Sequence, residues 1–348
     1  MTTAAPGRIA VVRAGALGDV LLGFPALLAL RRRFPEARIH LIGTLPQAAL
    51  ARDGGLVQSL AGVDDPSLGA LFADGASLEA LPADVRGVDL AVVWLRRPQE
   101  VARNLARLGA HAVLACPPWP DPIAGLHAAE WVLEGLRAIG VPPLWGWDGG
   151  PWLTTTPDAQ QWAAEWTARH LDGSPFAVLH AGSGSARKNW PAASWARVLA
   201  ALQERTALRL VLSAGPADGP AVEALLRQRR RDPAAAPPGP DVVLQGASLP
   251  RLGAVLQRAR LMLGHDSGVT HLAAGLGVPT VAVFGPSDPA LWRPRGPRVC
   301  VLGGTPSAPT RAAAVPGVAP HSSGWPEEPA VLAAALQLLE GARAAGGG

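Results

Sequence analysis

Residues 264–289 constrain the fold more than any other segment. They contain two polar clusters, each of which directly follows an apolar strand. The segment is GHDSGVTHLAAGLGVPTVAVFGPSDP. An apolar run ends at residues 265–268 (HDSG), a helix of small residues follows, and the strand Thr280–Phe284 ends at a second polar turn. Ligands of open parallel sheets bind beyond the carboxyl ends of strands, where helix N-termini present free N–H groups. The spacing therefore predicts a phosphate or diphosphate site.

Each residue of the cluster also has a purely structural interpretation. Asp266 or Ser267 as an N-cap would contribute about 1 kcal/mol, and Gly268 would relieve a tight turn. Capping alone does not explain Asp, Ser, Gly and His271 within six positions, followed by a second polar turn one strand later. The combination favours a ligand site.

Charge and cysteine content exclude several functional classes. The 348 residues carry a formal net charge of only +4, and their arginine runs, at 31–33 and 227–231, end predicted helices, where cations complement the helix dipole. We therefore expect no nucleic-acid partner, whereas contact with an anionic membrane surface or glycolipid remains open. Cys116 and Cys300 lie far apart without metal-ligand spacing, and no signal peptide precedes the first strand. These features predict a soluble cytoplasmic protein with free thiols.

Strands and helices alternate along the whole chain, which is typical of parallel α/β architecture. A segment rich in Pro, Gly and Trp, residues 141–152, is predicted to link two halves of similar size. Two such halves enclose a cleft, a natural place for a site with two substrates. The predicted strands are 9–13, 38–42, 90–94, 112–115, 177–180, 208–213, 242–244, 261–263 and 280–284. The predicted helices are 20–33, 98–108, 123–139, 159–170, 193–204, 221–230, 249–258, 269–276 and 326–344.

The loop after the first strand carries a candidate base. Residues 13–20 read RAGALGDV, with G-x-x-G spacing in place of the G-x-G-x-x-G of a dinucleotide site, and no GK[ST] of a P-loop is present. Asp19 falls in the first turn of the next helix. It is either a favourable charge at a helix N-terminus or a carboxylate base that removes a proton from an acceptor hydroxyl, worth roughly 10²–10⁴ in rate.

The only lysine of the chain lies in the loop after the first strand of the second half. This loop, residues 180–191, reads HAGSGSARKNWP. Lys188 stands against 30 arginines, which hints that a compact, mobile charge is needed there. Gly182 and Gly184 would let backbone amides approach an anion, and Lys188 would neutralise it. No G-x-S-x-G, HExxH or Cys/His cluster suggests a hydrolase or a metal site.

Four segments together resemble glycosyltransferase family 9, the ADP-heptose:lipopolysaccharide heptosyltransferase type. They are GDV at 18–20, K-x-W-P at 188–191, DSGVTH at 266–271 and GPSDP at 285–289. The resemblance implies a GT-B fold, an α/β architecture of two Rossmann-like domains with parallel sheets facing a central cleft. It implies an acceptor-side domain at 1–150, a nucleotide-sugar domain at 151–325 and a final helix, 326–348, that returns to the N-terminal domain.

The resemblance also implies roles for individual residues. Asp19 would be the catalytic base and Lys188 the contact to the donor phosphate or leaving group. Asp218 would meet the nucleotide ribose. The donor-binding set as a whole is Gly18, Ser183, Gly184, Asp218, Asp266, Ser267, Gly268 and His271.

The implied reaction is an inverting, metal-independent transfer of a sugar, heptose by resemblance, from an ADP-sugar to a lipopolysaccharide core or another surface glycan. No cofactor is expected besides this donor substrate, and the glycan or glycolipid acceptor leaves peripheral contact with the inner membrane surface open. Two alternatives remain at this point: a non-hydrolysing nucleotide-sugar epimerase, and a non-catalytic module that binds nucleotide sugars.

Overall fold

The computed structural model describes residues 5–75, 77–120, 125–142, 150–231, 241–306 and 324–345. The chain divides into two compact units, residues 1–147 and 148–348. Each unit contains one parallel sheet with its own helices. The boundary predicted from the sequence lies at residue 150, and the prediction of residues 326–348 as a separate segment stays a prediction.

The first unit is built on a parallel sheet of order β3-β2-β1-β4-β5. Its interior strands are apolar and buried, as expected where helices cover both faces of a parallel sheet. The four strands predicted from sequence are confirmed, whereas β3 and α3 were not predicted. The strands are β1 (Arg8–Arg13), β2 (Arg38–Gly43), β3 (Ser59–Gly62), β4 (Leu90–Trp94) and β5 (Ala112–Cys116). The α-helices are α1 (Leu17–Leu21), α2 (Phe24–Arg33), α3 (Leu45–Asp53), α4 (Gln99–Arg107) and α5 (Ala128–Gly135).

The second unit has a parallel sheet of order β11-β10-β9-β6-β7-β8. All five strands predicted here are confirmed, and the edge strand β11 and the short α11 were not predicted. The strands are β6 (Phe176–His180), β7 (Arg209–Ala214), β8 (Val242–Gln245), β9 (Leu261–His265), β10 (Thr280–Phe284) and β11 (Val299–Gly303). The α-helices are α6 (Pro157–Leu171), α7 (Ala192–Arg205), α8 (Gly219–Arg231), α9 (Leu249–Arg258), α10 (Gly268–Gly275), α11 (Pro289–Trp292) and α12 (Glu328–Ala345).

The first predicted helix is divided in two. The sequence pattern predicted one helix over 20–33, but α1 ends at Leu21 and α2 begins at Phe24, with Gly23 as its N-cap and Pro25 in its first turn. A Cβ on Gly23 would lie 3.3 Å from the Val20 carbonyl oxygen and 3.7 Å from Arg13 Nε. A glycine therefore lets the chain turn closely over a buried arginine.

Helix α5 also differs from its predicted bounds, by more than one or two residues. It begins at Ala128, later than the predicted helix 123–139, because Nδ1 of His127 accepts a hydrogen bond from the Ala129 N–H and caps the helix. Residues 121–124 lie outside the described part of the chain.

The last helix closes the core of the second unit. Val331 and Ala335 of α12 are fully buried in the same cluster as residues of α7 and the central strands. Arg197 of α7 pairs with Glu328 at the start of α12. All these contacts lie within the second unit, and the return of this helix to the N-terminal domain stays a prediction.

Four loops of the second unit follow neighbouring strands at one edge of its sheet. Residues 181–191, named the Lys188 loop below, follow β6, and residues 215–218 follow β7. Residues 266–267 follow β9 and residues 285–288 follow β10. Since β10, β9, β6 and β7 are adjacent and parallel, the four loops share the carboxyl edge. In the described ranges no helix is both long and apolar enough to cross a membrane.

Candidate functional site

An ion pair joins the Lys188 loop to the end of β9. Lys188 Nζ lies 2.6 Å from Asp266 Oδ2, with the lysine side chain 39 % exposed and the carboxylate 9 % exposed. Burial would raise the pKa of Asp266, but His271 and the Lys188 ammonium outweigh it, so that the pKa lies at about 2. The carboxylate is therefore ionised throughout the neutral range, and it holds a cation that still reaches solvent.

Helix α10 begins beside this pair. His271, in its first turn, is 4 % exposed, and its Nε2 lies 3.9 Å from Asp266 Oδ1. Ser267 is the N-cap, with Oγ accepting a hydrogen bond from the Thr270 N–H at 3.5 Å. Ser267 thus has the capping role that the sequence left open, and Gly268 is the first helical residue. The helix N-terminus brings a partial positive charge to the same edge as Lys188.

A buried histidine that the sequence analysis did not assign lies under the Lys188 loop. His265 is fully buried, and its Nε2 accepts hydrogen bonds from the Trp190 N–H at 2.7 Å and from the Trp195 indole N–H at 2.9 Å. Its Nδ1 lies 3.4 Å from the Gly182 carbonyl oxygen. Burial lowers the pKa of His265 to about 3. A neutral imidazole with its proton on Nδ1 satisfies all three contacts.

A second buried histidine meets Asp218. Nδ1 of His180 lies 3.0 Å from Ser213 Oγ, and its Nε2 lies 3.6 Å from Asp218 Oδ2, the oxygen that also accepts the Gly215 N–H at 2.8 Å. Burial lowers the pKa of His180, opposed by the Asp218 carboxylate. Asp218 is 8 % exposed. Its carboxylate is held by protein groups at the end of β7.

The two glycines of the Lys188 loop differ in what surrounds them. A Cβ on Gly182 would lie 2.0 Å from Asp218 Oδ1 and 2.8 Å from Asp218 Cβ, so the glycine makes room for that carboxylate. Gly184 is exposed, with open space around it. Ser183 Oγ lies within hydrogen-bond distance of both the Ser185 carbonyl oxygen, at 2.6 Å, and Asn189 Oδ1, at 2.7 Å. The structure therefore gives Gly182 a steric role besides the predicted one of letting amides approach an anion.

In the first unit, Asp19 lies in α1 above a buried arginine. Arg13, at the end of β1, is 3 % exposed and donates a hydrogen bond from Nη2 to the backbone carbonyl oxygen of Asp19. Burial lowers the pKa of Arg13 to about 10, and the nearby Asp19 and Cys116 partly offset this. The guanidinium therefore stays charged at neutral pH. Asp19 is half-buried, and Gly18 precedes it in the same turn.

The predicted residues fall into separate groups. Lys188, Asp266 and His271 form a continuous set of contacts at the carboxyl edge of the second sheet. Asp218 belongs to a neighbouring cluster with His180, and Gly18 and Asp19 lie in the first unit. Arg13, His180 and His265 were not assigned a role from sequence. Their only signal is a polar residue at the last position of a buried strand.

The arrangement suits an anionic ligand. An exposed ammonium, a helix N-terminus and a Gly- and Ser-containing loop converge at the carboxyl edge of a parallel sheet, the usual place for phosphate groups. Across the ranges that the structure covers, no group of three or more His, Cys, Asp or Glu side chains is placed to hold a metal ion.

Comparison with known proteins finds a family match within the second unit. Residues 153–314 match the family model for glycosyltransferase family 9 (heptosyltransferase). Lipopolysaccharide heptosyltransferase 3 of Escherichia coli K12 is 24 % identical over 299 residues, which cover 80 % of this chain and 82 % of that protein.

Solved structures share the fold over almost the whole chain. The family 9 glycosyl transferase of Veillonella parvula superposes with a TM-score of 0.76 and 22 % identity, covering 98 % of this chain and 99 % of that one. The E. coli ADP-heptose lipopolysaccharide heptosyltransferase II superposes with a TM-score of 0.69 and 17 % identity, covering 97 % of this chain and 99 % of that one. These likenesses confirm the GT-B fold class. The family match over residues 153–314 and the heptosyltransferase relatives favour a transferase over the epimerase and the binding module that the sequence left open: the chain is a glycosyltransferase similar to those of family 9.

Proposed function

We propose that this glycosyltransferase moves a heptose from an ADP-sugar to a lipopolysaccharide core or a related surface glycan, with inversion at the anomeric carbon and without a metal ion. The similarity to lipopolysaccharide heptosyltransferases supports the sugar and the acceptor class. The acceptor in this proposal is a glycolipid, which the protein meets at the cytoplasmic face of the inner membrane.

The observation that carries the proposal is the contact set of Lys188, Asp266 and His271 at the N-terminus of α10. An ammonium has three N–H donors, and Asp266 takes one of them, which leaves two for phosphate oxygens. The helix N-terminus adds free N–H groups that suit the same anion. Together they supply the positive charge that the leaving diphosphate requires, which is why the proposal needs no metal.

The proposed step is a single displacement. The acceptor hydroxyl oxygen forms a bond to the anomeric carbon while the bond from that carbon to the diphosphate oxygen breaks. Asp19 takes the hydroxyl proton, and the electron pair of the broken bond leaves with ADP. Lys188 and the N-terminus of α10 stabilise the charge that develops on the diphosphate, the kind of electrostatic contribution that is often the largest in such reactions.

The remaining donor-side residues are assigned by position. Gly268 begins α10, and Ser267 caps it. Ser183, Gly184 and Asp218 lie in loops that follow the adjacent strands β6 and β7, and they are proposed to contact the nucleotide, Asp218 through the ribose. Gly18 is proposed to give the backbone of the Asp19 turn its approach to the substrates.

The substitution Asp19→Asn tests the proposal because it removes the base and keeps the shape of the side chain. We expect transfer to fall by roughly 10²–10⁴-fold while ADP binding, measured by calorimetry with EDTA present, is unchanged. Asp53→Asn, in the same unit at the end of α3, is the matched control and should transfer at the wild-type rate. The anomeric configuration of the product is determined by NMR.

Several results would contradict individual parts of the proposal. Transfer by Asp19→Asn near the wild-type rate would remove Asp19 as the base. Binding of UDP or GDP in place of ADP would change the donor. Loss of transfer in EDTA would contradict metal independence, and a retained anomeric configuration would contradict single displacement.

A further inference from the structure

We infer that His265 is a positioning residue that fastens both ends of the Lys188 loop to strand β9 and so fixes where the Lys188 ammonium meets the donor phosphates. The inference rests on the proposed function in one respect, the contact of Lys188 with the diphosphate. The fastening itself is a property of the fold, and it is tested separately below.

The two ends of the loop meet on one imidazole ring. Gly182, the second residue of the loop, presents its carbonyl oxygen to Nδ1 of His265 at 3.4 Å. Trp190, next to last in the loop, donates its backbone N–H to Nε2 at 2.7 Å. The span of residues 182–190 is thereby closed into a ring by a residue of the neighbouring strand. Lys188 lies inside this ring.

A third hydrogen bond extends the fastening to helix α7. The Trp195 indole N–H donates to the same Nε2 at 2.9 Å, and its ring packs edge-on against the imidazole with centroids 5.4 Å apart. The Trp325 ring is also edge-on to the imidazole, with centroids 6.4 Å apart. Because His265 has no exposed surface, the imidazole is held in one orientation by its neighbours.

The following residue completes the arrangement. Asp266 binds Lys188 Nζ, so the end of β9 holds the Lys188 loop by its beginning, its end and its charged side chain. Bonds within the loop are local, such as those of Ser183 Oγ to Ser185 and Asn189. His265 therefore supplies the contacts that tie the backbone of the loop to the sheet, and Asp266 then orients a lysine whose backbone is already placed.

Proteolysis gives a direct test, since Lys188 is the only lysine in the chain. A lysine-specific endoprotease has one target, inside the ring closed by His265. His265→Leu removes both acceptor and donor, and we expect cleavage under native conditions to become about tenfold faster or more, as the loss of two or three buried hydrogen bonds allows. ADP affinity should weaken by a similar factor.

Three further variants separate positioning from general destabilisation. His265→Gln keeps an acceptor and a donor, so it should recover much of the resistance to cleavage and much of the ADP affinity. Trp195→Phe keeps the ring and removes one of the two donated N–H groups, so a smaller acceleration is expected. His40→Leu is the matched control, a buried histidine in the first unit whose Nδ1 lies 2.8 Å from Ser59 Oγ, and it should be cleaved at the wild-type rate.

Each outcome decides the inference. Cleavage of His265→Leu at the wild-type rate would overturn it, as would an acceleration no greater than the rise in global unfolding measured by circular dichroism. Faster cleavage with unchanged ADP affinity would overturn the positioning of Lys188. If the wild-type protein binds no ADP, the proposed function fails, while the cleavage rates still decide whether His265 fastens the loop.

Discussion

The loops that follow β1 and β6 occupy equivalent places in the two sheets, yet they are held in different ways. Each strand is the first of its unit and is central in its sheet, where β1 lies between β2 and β4, and β6 lies between β7 and β9. Residues 14–16 lead from β1 into α1. Arg13 of the same strand donates to the Asp19 carbonyl oxygen in α1, and Thr44, directly after β2, bonds to the backbone of Gly15. The Lys188 loop leads from β6 into α7 and is held by His265 of the neighbouring strand.

The two loops differ in length, and with it in how far a residue of the preceding strand can reach. A residue at the end of β1 reaches the first turn of α1, because only three residues intervene. No residue of β6 reaches the far end of an eleven-residue loop in the same way, so the anchor comes from the side, where β9 ends beside both ends of the loop. The cost of ordering a loop rises with the number of residues fixed, which makes an external anchor more valuable for the longer one.

The charge of the two anchors also differs. Arg13 keeps its charge at neutral pH despite burial, because its pKa falls only to about 10. His265 stays neutral, because its pKa lies at about 3: burial lowers it most and His180 adds to this, while the Gly182 carbonyl and Asp266 oppose the change. The turn that carries Asp19 is therefore held by a permanent cation, and the Lys188 loop is held by a base that must remain unprotonated.

The largest expected effect is a loss of folding stability at acid pH, which the neutral anchor His265 should cause and the charged anchor Arg13 should not. His265 has a folded pKa of about 3 and an unfolded value near 6.5, so its contribution to stability is complete above pH 6.5 and is lost as the pH falls towards 3. The contribution of His265 to the free energy of unfolding should fall by about 1.4 kcal/mol per pH unit, or roughly 3 kcal/mol over two units. Urea unfolding of the wild type and His265→Leu between pH 7 and pH 4 measures it, and the variant should lose stability less steeply. Equal slopes would show that His265 is protonated in the folded state.

The next effect should come from the room that Gly182 leaves for Asp218. Gly182→Ala places a Cβ 2.0 Å from Asp218 Oδ1, and we expect a loss of about 2 to 3 kcal/mol in the free energy of unfolding, because the carboxylate must leave the Gly215 N–H to make space. Gly184→Ala, two residues along the same loop in open space, should change stability by less than about 0.5 kcal/mol. Equal losses for the two variants would contradict this explanation, because Asp218 crowds only Gly182.

The smallest effect concerns the anchor of the first loop. Arg13→Met removes a charged hydrogen bond to the Asp19 carbonyl oxygen, and a loss of about 1.5 kcal/mol is expected. We also expect kcat to fall about tenfold, while KM for the donor is unchanged, because the turn that carries Asp19 loosens. Arg31→Met is the control: Arg31 donates to the carbonyl oxygens of Pro35 and Ala37, at 2.9 and 2.8 Å, and its removal should lower stability without lowering kcat. A fall in kcat for both variants would mean that the effect is general.

The interior strands and most helices followed from the sequence, because buried parallel strands are continuous apolar runs. The edge strands β3 and β11 escaped prediction, since Ser59–Gly62 is short and only partly buried and Val299–Gly303 lies among Pro and Gly. The break between α1 and α2 also escaped, because it depends on the Arg13 side chain packing near Gly23, a contact between positions ten residues apart.

The candidate site was predictable in its composition more than in its contacts. The position of Asp266 and His271 at a strand end and helix start followed from the HDSG pattern, and the structure places Lys188 beside Asp266. The role of His265 did not follow. A last residue of a buried parallel strand can point to either face, and its partners, Gly182, Trp190 and Trp195, are 70 or more residues away in sequence.

The packing of α12 on the second sheet has a consequence for the order of events during synthesis. All described strands of the first sheet precede residue 117, so that sheet can assemble while the ribosome is still translating the second unit, which at typical rates takes roughly 10 to 40 s. The core of the second unit is complete only when Val331 and Ala335 have emerged. Until then the apolar surface that α12 covers is open to chaperones and to premature association, so the second unit is most exposed to misfolding before α12 has been synthesised.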